Sequence, residues 1–176
     1  MLFCGALAIR KGVHYLLQAF TELGLPGAEL WLVGPVSEEL ASVVARYQSP
    51  AVIVHGAKRQ SQLPWYYGQA DVFCLPSLEE GMAMVLLQAM ACALPVVCTT
   101  NTGGADVIRD GADGFVVPVR DVQALKERIV WCYEHREECR AMGRAARARV
   151  GSGFRWDDYG ERAAGAYSQM VAAGTN

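Results

Sequence analysis

Residues 71–98 read Asp71-Val72-Phe73-Cys74-Leu75, then Pro76-Ser77-Leu78-Glu79-Glu80-Gly81-Met82-Ala83-Met84, then Val85-Leu86-Leu87-Gln88-Ala89-Met90-Ala91, and, after Cys92-Ala93-Leu94, Pro95-Val96-Val97-Cys98. The first and last runs are short and apolar with no polar alternation, which is how strands buried on both faces read. Between them lie a loop carrying acid and glycine and an apolar stretch of helical character. Strand, loop, helix and strand in this order predict a parallel βαβ unit with a right-handed crossover.

The same kind of apolar run recurs outward from this unit, at 1–4, 29–34, 51–55 and 114–117. Helical patterns fall between the runs. His14–Leu23 carries apolar residues at 16, 17, 20 and 23, Ser37 stands as N-cap before Glu38–Tyr47, and Asp121 does so before Val122–Tyr133. A final helix is expected over about 156–172. The alternation predicts an α/β fold: one Rossmann-like domain over 1–176, with a parallel sheet of about six strands and helices on both faces. No internal repeat and no low-complexity linker interrupts it.

Length and charge narrow the function classes. The 176 residues suffice for one domain with a full core. Lys plus Arg is 16 and Asp plus Glu is 18, a formal net charge of −2, so no general electrostatic drive toward nucleic acid exists. The Arg-rich stretch Arg136–Arg149 opens among Glu134, Glu137 and Glu138 and reads as a solvated helix face. No apolar run reaches the roughly 18 residues of a membrane span. The N-terminal MLFCGALAIRKG lacks the pattern of a signal peptide, so a cytoplasmic protein is expected. Cysteines 4, 74, 92, 98, 132 and 139 form no CxxC pair and read as free buried thiols of a reducing compartment, with no metal site.

A sheet of this kind does not name a function, but it places ligands at the carboxyl ends of its strands. Two strand-end loops stand out. Gly5-Ala6-Leu7-Ala8-Ile9-Arg10-Lys11-Gly12 has glycine at both ends and a basic pair, without GxGxxG or a Walker motif, which argues against a dinucleotide-binding dehydrogenase. Lys11 alone reads equally as a solvated lysine at a helix start. The loop Pro76–Met84 puts acid and glycine ahead of a helix start, where free N–H groups and the helix dipole favour an anion. Treated as helical, Glu80 and Gln88 would stand roughly 12 Å apart and about 80° around the axis. That span suits a diphosphate over the helix start, a sugar beyond Glu80 and a ribose near Gln88. Capping by Glu80, and a plain polar role for Gln88 on the helix wall, are the alternatives.

Taken together, Phe3-Cys4-Gly5 through Arg10-Lys11-Gly12, Leu32-Val33-Gly34-Pro35, Ala70-Asp71-Val72 and Pro76–Gly81 resemble the family 4 glycosyltransferases. The resemblance continues through Gln88-Ala89-Met90-Ala91-Cys92-Ala93-Leu94-Pro95-Val96-Val97, Asn101-Thr102-Gly103 and Asp110-Gly111-Ala112-Asp113-Gly114. It implies the carboxy-terminal half of a GT-B enzyme, the domain that holds the nucleotide-sugar donor. The amino-terminal acceptor domain is expected to be absent from the chain and supplied as a missing domain or separate subunit. Under the resemblance Lys11 neutralises the donor diphosphate within the Gly5–Gly12 loop. The amides of Gly81, Met82, Ala83, Met84 and Val85 cradle that diphosphate. Glu80 matches the first acid of the family's E-x7-E motif and holds the transferred sugar, so Lys11 and Glu80 form the catalytic pair. Gln88 stands where the second acid, the ribose ligand, usually sits.

The family transfers with retention and without a DxD metal motif. Only Asp157-Asp158 and Asp110-Gly-Ala-Asp113 come near one here, so no metal and no cofactor are expected; the nucleoside-diphosphate sugar is a substrate. The leaving diphosphate then depends on protein cations and dipoles. The resemblance implies no nucleic acid partner and allows peripheral membrane association of the full enzyme. Departures from the family are Ala6, where many relatives carry arginine and for which Arg10 is the nearest substitute, Gln88 for a carboxylate, and Ala83 and Ala93 where glycine is usual. Alanine there is cheap at negative φ and costly at positive φ. A non-catalytic nucleotide- or partner-binding module that keeps the fold is the alternative to a transferase half. Related GT-B epimerases and phosphorylases rank below both.

Overall fold

The computed structural model describes residues 1–154 and 156–173. Six strands form one sheet: β1 (Leu2–Cys4), β2 (Leu30–Val33), β3 (Val52–Gly56), β4 (Phe73–Leu75), β5 (Val96–Thr99) and β6 (Gly114–Val117). All five neighbour pairs are parallel, in the order β3-β2-β1-β4-β5-β6. Each strand falls on one of the expected apolar runs, within two residues at either end. The absence of polar alternation has its expected cause: every residue of β1, β4 and β5 is buried.

The chain steps from β1 outward to β2 and β3, then returns to the other side of β1 for β4, β5 and β6. Right-handed crossovers in opposite directions place α1 (Val13–Leu23) and α4 (Met84–Ala91) on opposite faces of the sheet. With α1 pack α2 (Glu38–Tyr47) and α6 (Val122–Glu134), and with α4 packs α7 (Arg136–Gly151). The remaining helices are α3 (Leu63–Gln69), a short α5 (Gly104–Val107) and α8 (Trp156–Ala173). The short α3 and α5 lie outside the expected periodic stretches; α3 opens with Pro64, a helix-start signal too brief for periodicity to detect.

The core runs along both faces. Leu16 and Leu17 of α1, Leu2 and Phe3 of β1, Phe73 and Leu75 of β4, and Leu86 and Met90 of α4 are fully buried. Each such side chain contributes about 1.5–3 kcal/mol of transfer free energy, which is what holds these short strands in register. Asp121 caps α6 as expected, its carboxylate accepting from the Ala124 amide at 2.8 Å. Ser37 occupies the N-cap position of α2 without capping it. Its hydroxyl instead donates to the Leu7 carbonyl at 2.9 Å, tying the β1–α1 loop to the start of α2. Among the described residues no helix is long and apolar enough to cross a membrane.

Candidate functional site

The reversal of strand order between β1 and β4 splays apart the connections that follow those strands, and ligands of open α/β sheets bind at such a point. Three connections meet there: residues 5–12 after β1, residues 76–83 after β4, and residues 100–103 after β5. They are held backbone to backbone. The Leu78 amide donates to the Arg10 carbonyl at 2.9 Å, the Glu80 amide to Asn101 at 2.8 Å and the Ala83 amide to Thr102 at 3.2 Å. The Asn101 side-chain amide returns a bond to the Leu78 carbonyl at 3.0 Å.

Two glycines make this contact possible. Gly12 has φ 65°, and a Cβ there would lie 1.9 Å from the Pro76 carbonyl oxygen. Gly103 has φ 70°, and its Cβ would lie 2.8 Å from the Gly81 carbonyl oxygen. A side chain at either position would push the loops apart as well as strain the backbone. Gly12, Asn101, Thr102 and Gly103 therefore join Gly5, Arg10, Lys11, Glu80, Gly81–Val85 and Gln88, the residues expected at the site. The signal for the third loop was present in Asn101-Thr102-Gly103, but these residues carry no charge and suggested no chemistry alone.

The closed loops bring Lys11 and Glu80 together across 69 positions of sequence. The Lys11 ammonium pairs directly with the Glu80 carboxylate, and Arg10 Nη1 lies 3.4 Å from the same Oε1. Arg10 also donates to the Glu79 carbonyl at 2.8 Å. Lys11 and Glu80 are mostly buried (side chains 17% and 12% exposed), while Arg10 is 56% exposed. Two cations thus converge on one carboxylate beside the start of α4. Arg10 is the second of these cations, and Ala6 is exposed on the same loop.

The structure corrects three expectations. Glu80 and Gln88 are not two turns apart on one helix, because α4 begins only at Met84. Glu80 gives its amide to Asn101 and Ala83 gives its amide to Thr102, and these two bonds keep residues 80–83 out of the helix. Glu80 does not cap α4 either: Ala83 takes the N-cap position and no side chain bonds there. Of the cradle amides Gly81–Val85, that of Ala83 is taken by Thr102, whereas those of Met84 and Val85 lie in the first turn, where a helix offers no internal acceptor. Met82 and Met84 flank this turn with exposed apolar side chains.

Gln88 lies in α4 with its carbonyl oxygen already engaged, accepting from the Tyr67 hydroxyl at 3.2 Å. Tyr67, buried on α3, is a site residue that sequence reasoning missed; burial pushes its hydroxyl pKa up, so it stays a donor. Gly5 continues the line of β1 by donating its amide to Val33 at 2.9 Å. The two alanines separate cleanly. Ala83 has φ −78° and carries no strain, whereas Ala93 has φ 59°, in the left-handed region at the end of α4.

Comparison with known proteins places the family and the fold. The profile of a family described as glycosyl transferases group 1 matches residues 1–135. The putative colanic acid biosynthesis glycosyltransferase WcaL of Salmonella typhimurium is 31% identical over 140 residues, covering 73% of this chain and 34% of its own length. Among solved structures, sucrose-phosphate synthase from Thermosynechococcus elongatus superposes with a TM-score of 0.86 at 27% identity, over 98% of this chain and 45% of that one. Anabaena HepE in complex with UDP-glucose shares the fold, with a TM-score of 0.84 at 22% identity over 96% of this chain and 48% of that one. The chain spans about a third to a half of the length of these proteins.

Proposed function

The chain belongs to the group 1 glycosyltransferases, and on that premise we propose that it is the donor-binding half of a retaining, metal-independent enzyme that transfers a sugar from a nucleoside-diphosphate sugar. The observation that carries this reading is the convergence of Lys11 and Arg10 on Glu80 beside the first turn of α4. In the free protein Glu80 serves as the counter-ion of both cations. An arriving diphosphate displaces the carboxylate from Lys11 and Arg10 and takes their charge, together with the N–H groups that open α4. Glu80, released, accepts hydrogen bonds from the sugar. As the glycosidic bond breaks, the charge growing on the diphosphate stays with the same cations and dipoles, which is the electrostatic stabilisation this chemistry needs.

The acceptor enters from another part of the enzyme, a domain or subunit facing this loop cluster. Trp156, Tyr159, Tyr167 and Met170 of α8 are 60–75% exposed and give such a part an apolar surface to contact. Without it, proximity of acceptor to donor is lost, so residues 1–176 alone transfer no sugar. That HepE was crystallised with UDP-glucose makes UDP and UDP-glucose the first probes. Calorimetric titration with UDP, GDP and ADP, each with and without EDTA, tests the reading. Binding of one of them that persists in EDTA supports it; no binding at millimolar concentration, or binding only with a divalent ion, overturns it. The alternative reading is a nucleotide- or partner-binding module without catalysis. It predicts nucleotide binding but no gain in affinity from the sugar.

A further inference from the structure

Four polar side chains are buried among the described residues: Ser77, Thr99, Thr102 and Asp113. Asp113 is accounted for by Arg109, whose backbone amide and Nε donate to its two carboxylate oxygens at 2.7 and 2.6 Å. The other three form one chain behind the loops of the candidate site. The Gly104 amide donates to Thr102 Oγ1 at 3.2 Å and the Thr102 hydroxyl to the Thr99 carbonyl at 2.7 Å. The Thr99 hydroxyl donates in turn to the Ser77 carbonyl. Ser77 ends the chain, its own hydroxyl donating to Glu80 Oε1 at 3.5 Å.

These partners fix the direction of each proton. Thr99 and Thr102 give theirs to backbone carbonyls, which can only accept. Ser77 stands just beyond β4 with its carbonyl engaged from behind by Thr99, and its hydroxyl is left to point at Glu80. Glu80 Oε1 is crowded. Lys11, Arg10 at 3.4 Å and Ser77 at 3.5 Å all address this one oxygen, which offers two lone pairs to three donors. The ammonium makes the tightest contact, and the other two stay long. Oε2 takes no hydrogen bond from a described residue.

On the donor-site reading given above, we propose that Ser77 is a positioning residue for Glu80. It is the donor that the carboxylate keeps when a diphosphate draws Lys11 and Arg10 away, and it holds Oε1 so that Oε2 accepts from the sugar. The Glu80 side chain is only 12% exposed, so without cations and without Ser77 it would be an unpaired, mostly buried charge, which is strongly unfavourable. Freed of the cations, Oε1 accepts a shorter, charge-assisted bond from the Ser77 hydroxyl. The rigid Thr99–Thr102 chain behind Ser77 keeps that hydroxyl in place while the cations change partner.

The test compares a bare nucleotide with its sugar ester, UDP with UDP-glucose and GDP with GDP-mannose, titrated by calorimetry into the 176-residue protein. In Ser77→Ala the nucleotide should bind within about twofold of wild type, because Ser77 stays with Glu80 whether or not the cations leave. The sugar ester should bind about three- to tenfold more weakly. Ser77→Cys carries the same comparison should the alanine variant not fold: its thiol is a weaker donor, so the ester again loses more than the nucleotide. With Glu80→Ala already in place, adding Ser77→Ala should change neither ligand, since the carboxylate it serves is gone. An unchanged sugar ester, an equal loss for nucleotide and ester, or the same loss in the Glu80→Ala background assigns Ser77 to the fold alone and overturns the inference. Wild-type protein that binds neither nucleotide, or gains nothing from the sugar, overturns the donor-site reading itself and the role of Ser77 with it.

Discussion

Replacing Glu80 with glutamine removes one negative charge from between two cations and keeps the side chain's size, so its effect on nucleotide affinity reports what the Lys11–Glu80–Arg10 cluster does. A unit pair at 4 Å is worth about 1 kcal/mol in water and about 4 kcal/mol at an effective dielectric of 20. Arg10, 56% exposed and 3.4 Å from the carboxylate, belongs near the lower value. The mostly buried Lys11 belongs nearer the higher one, less the cost of desolvating both partners. A net coupling of about 1–2 kcal/mol therefore holds Glu80 in place, and a diphosphate must overcome it. In Glu80→Gln that opposition is gone, and UDP should bind tighter by a factor of about 5–30. UDP-glucose loses the charge-assisted bonds from its sugar to Glu80, so its advantage over UDP should shrink or reverse. Calorimetry of both ligands at two salt concentrations is the assay, with Lys11→Ala as the control that weakens both by about 1.5–3 kcal/mol. If Glu80→Gln leaves UDP unchanged, or shifts UDP and UDP-glucose equally, Glu80 neither competes with the diphosphate nor holds the sugar.

Gln88→Glu should tighten UDP by about 1 kcal/mol, since a carboxylate accepts a stronger, charge-assisted bond from a ribose hydroxyl than the amide oxygen does; the same change in Tyr67→Phe should be no smaller, and titration of the four proteins checks both. Ala93→Gly relieves a left-handed alanine at φ 59°, so the protein should gain about 1 kcal/mol and melt about 2–4 °C higher, as scanning calorimetry will show. Burial lowers the pKa of His14, and burial followed by Lys58 lowers that of His55. The unfolded chain then takes up protons below about pH 6.5 that the folded protein refuses, so stability should fall as pH drops from 7 toward 5.5. Replacing both histidines with asparagine should flatten that part of the melting-temperature profile.

The six strands were legible because burial on both faces leaves a mark within four or five residues: Val96-Val97-Cys98 needs no distant partner to read as an inner strand. Helices long enough to show a period, such as Val13–Leu23, were equally plain. Lys11, Glu80 and Gln88 could be named because their residue types at strand ends point to anion and sugar chemistry, and the resemblance added their order. Which partner each polar side chain takes lay beyond that reading. Glu80 joins Lys11 rather than a helix end because Asn101 and Thr102, about 20 residues further on, take the amides of Glu80 and Ala83 and hold the segment open. Gln88 takes a bond from Tyr67, on a helix too short to announce itself. Ala83 and Ala93 look identical in sequence, yet one has φ −78° and the other 59°. Hydrophobic burial is non-directional and needs only a local pattern, so the sequence alone determined the layers of this protein. Hydrogen bonds, ion pairs and φ depend on distances and angles between segments far apart in the chain, so only the folded tertiary structure decided how the site is wired.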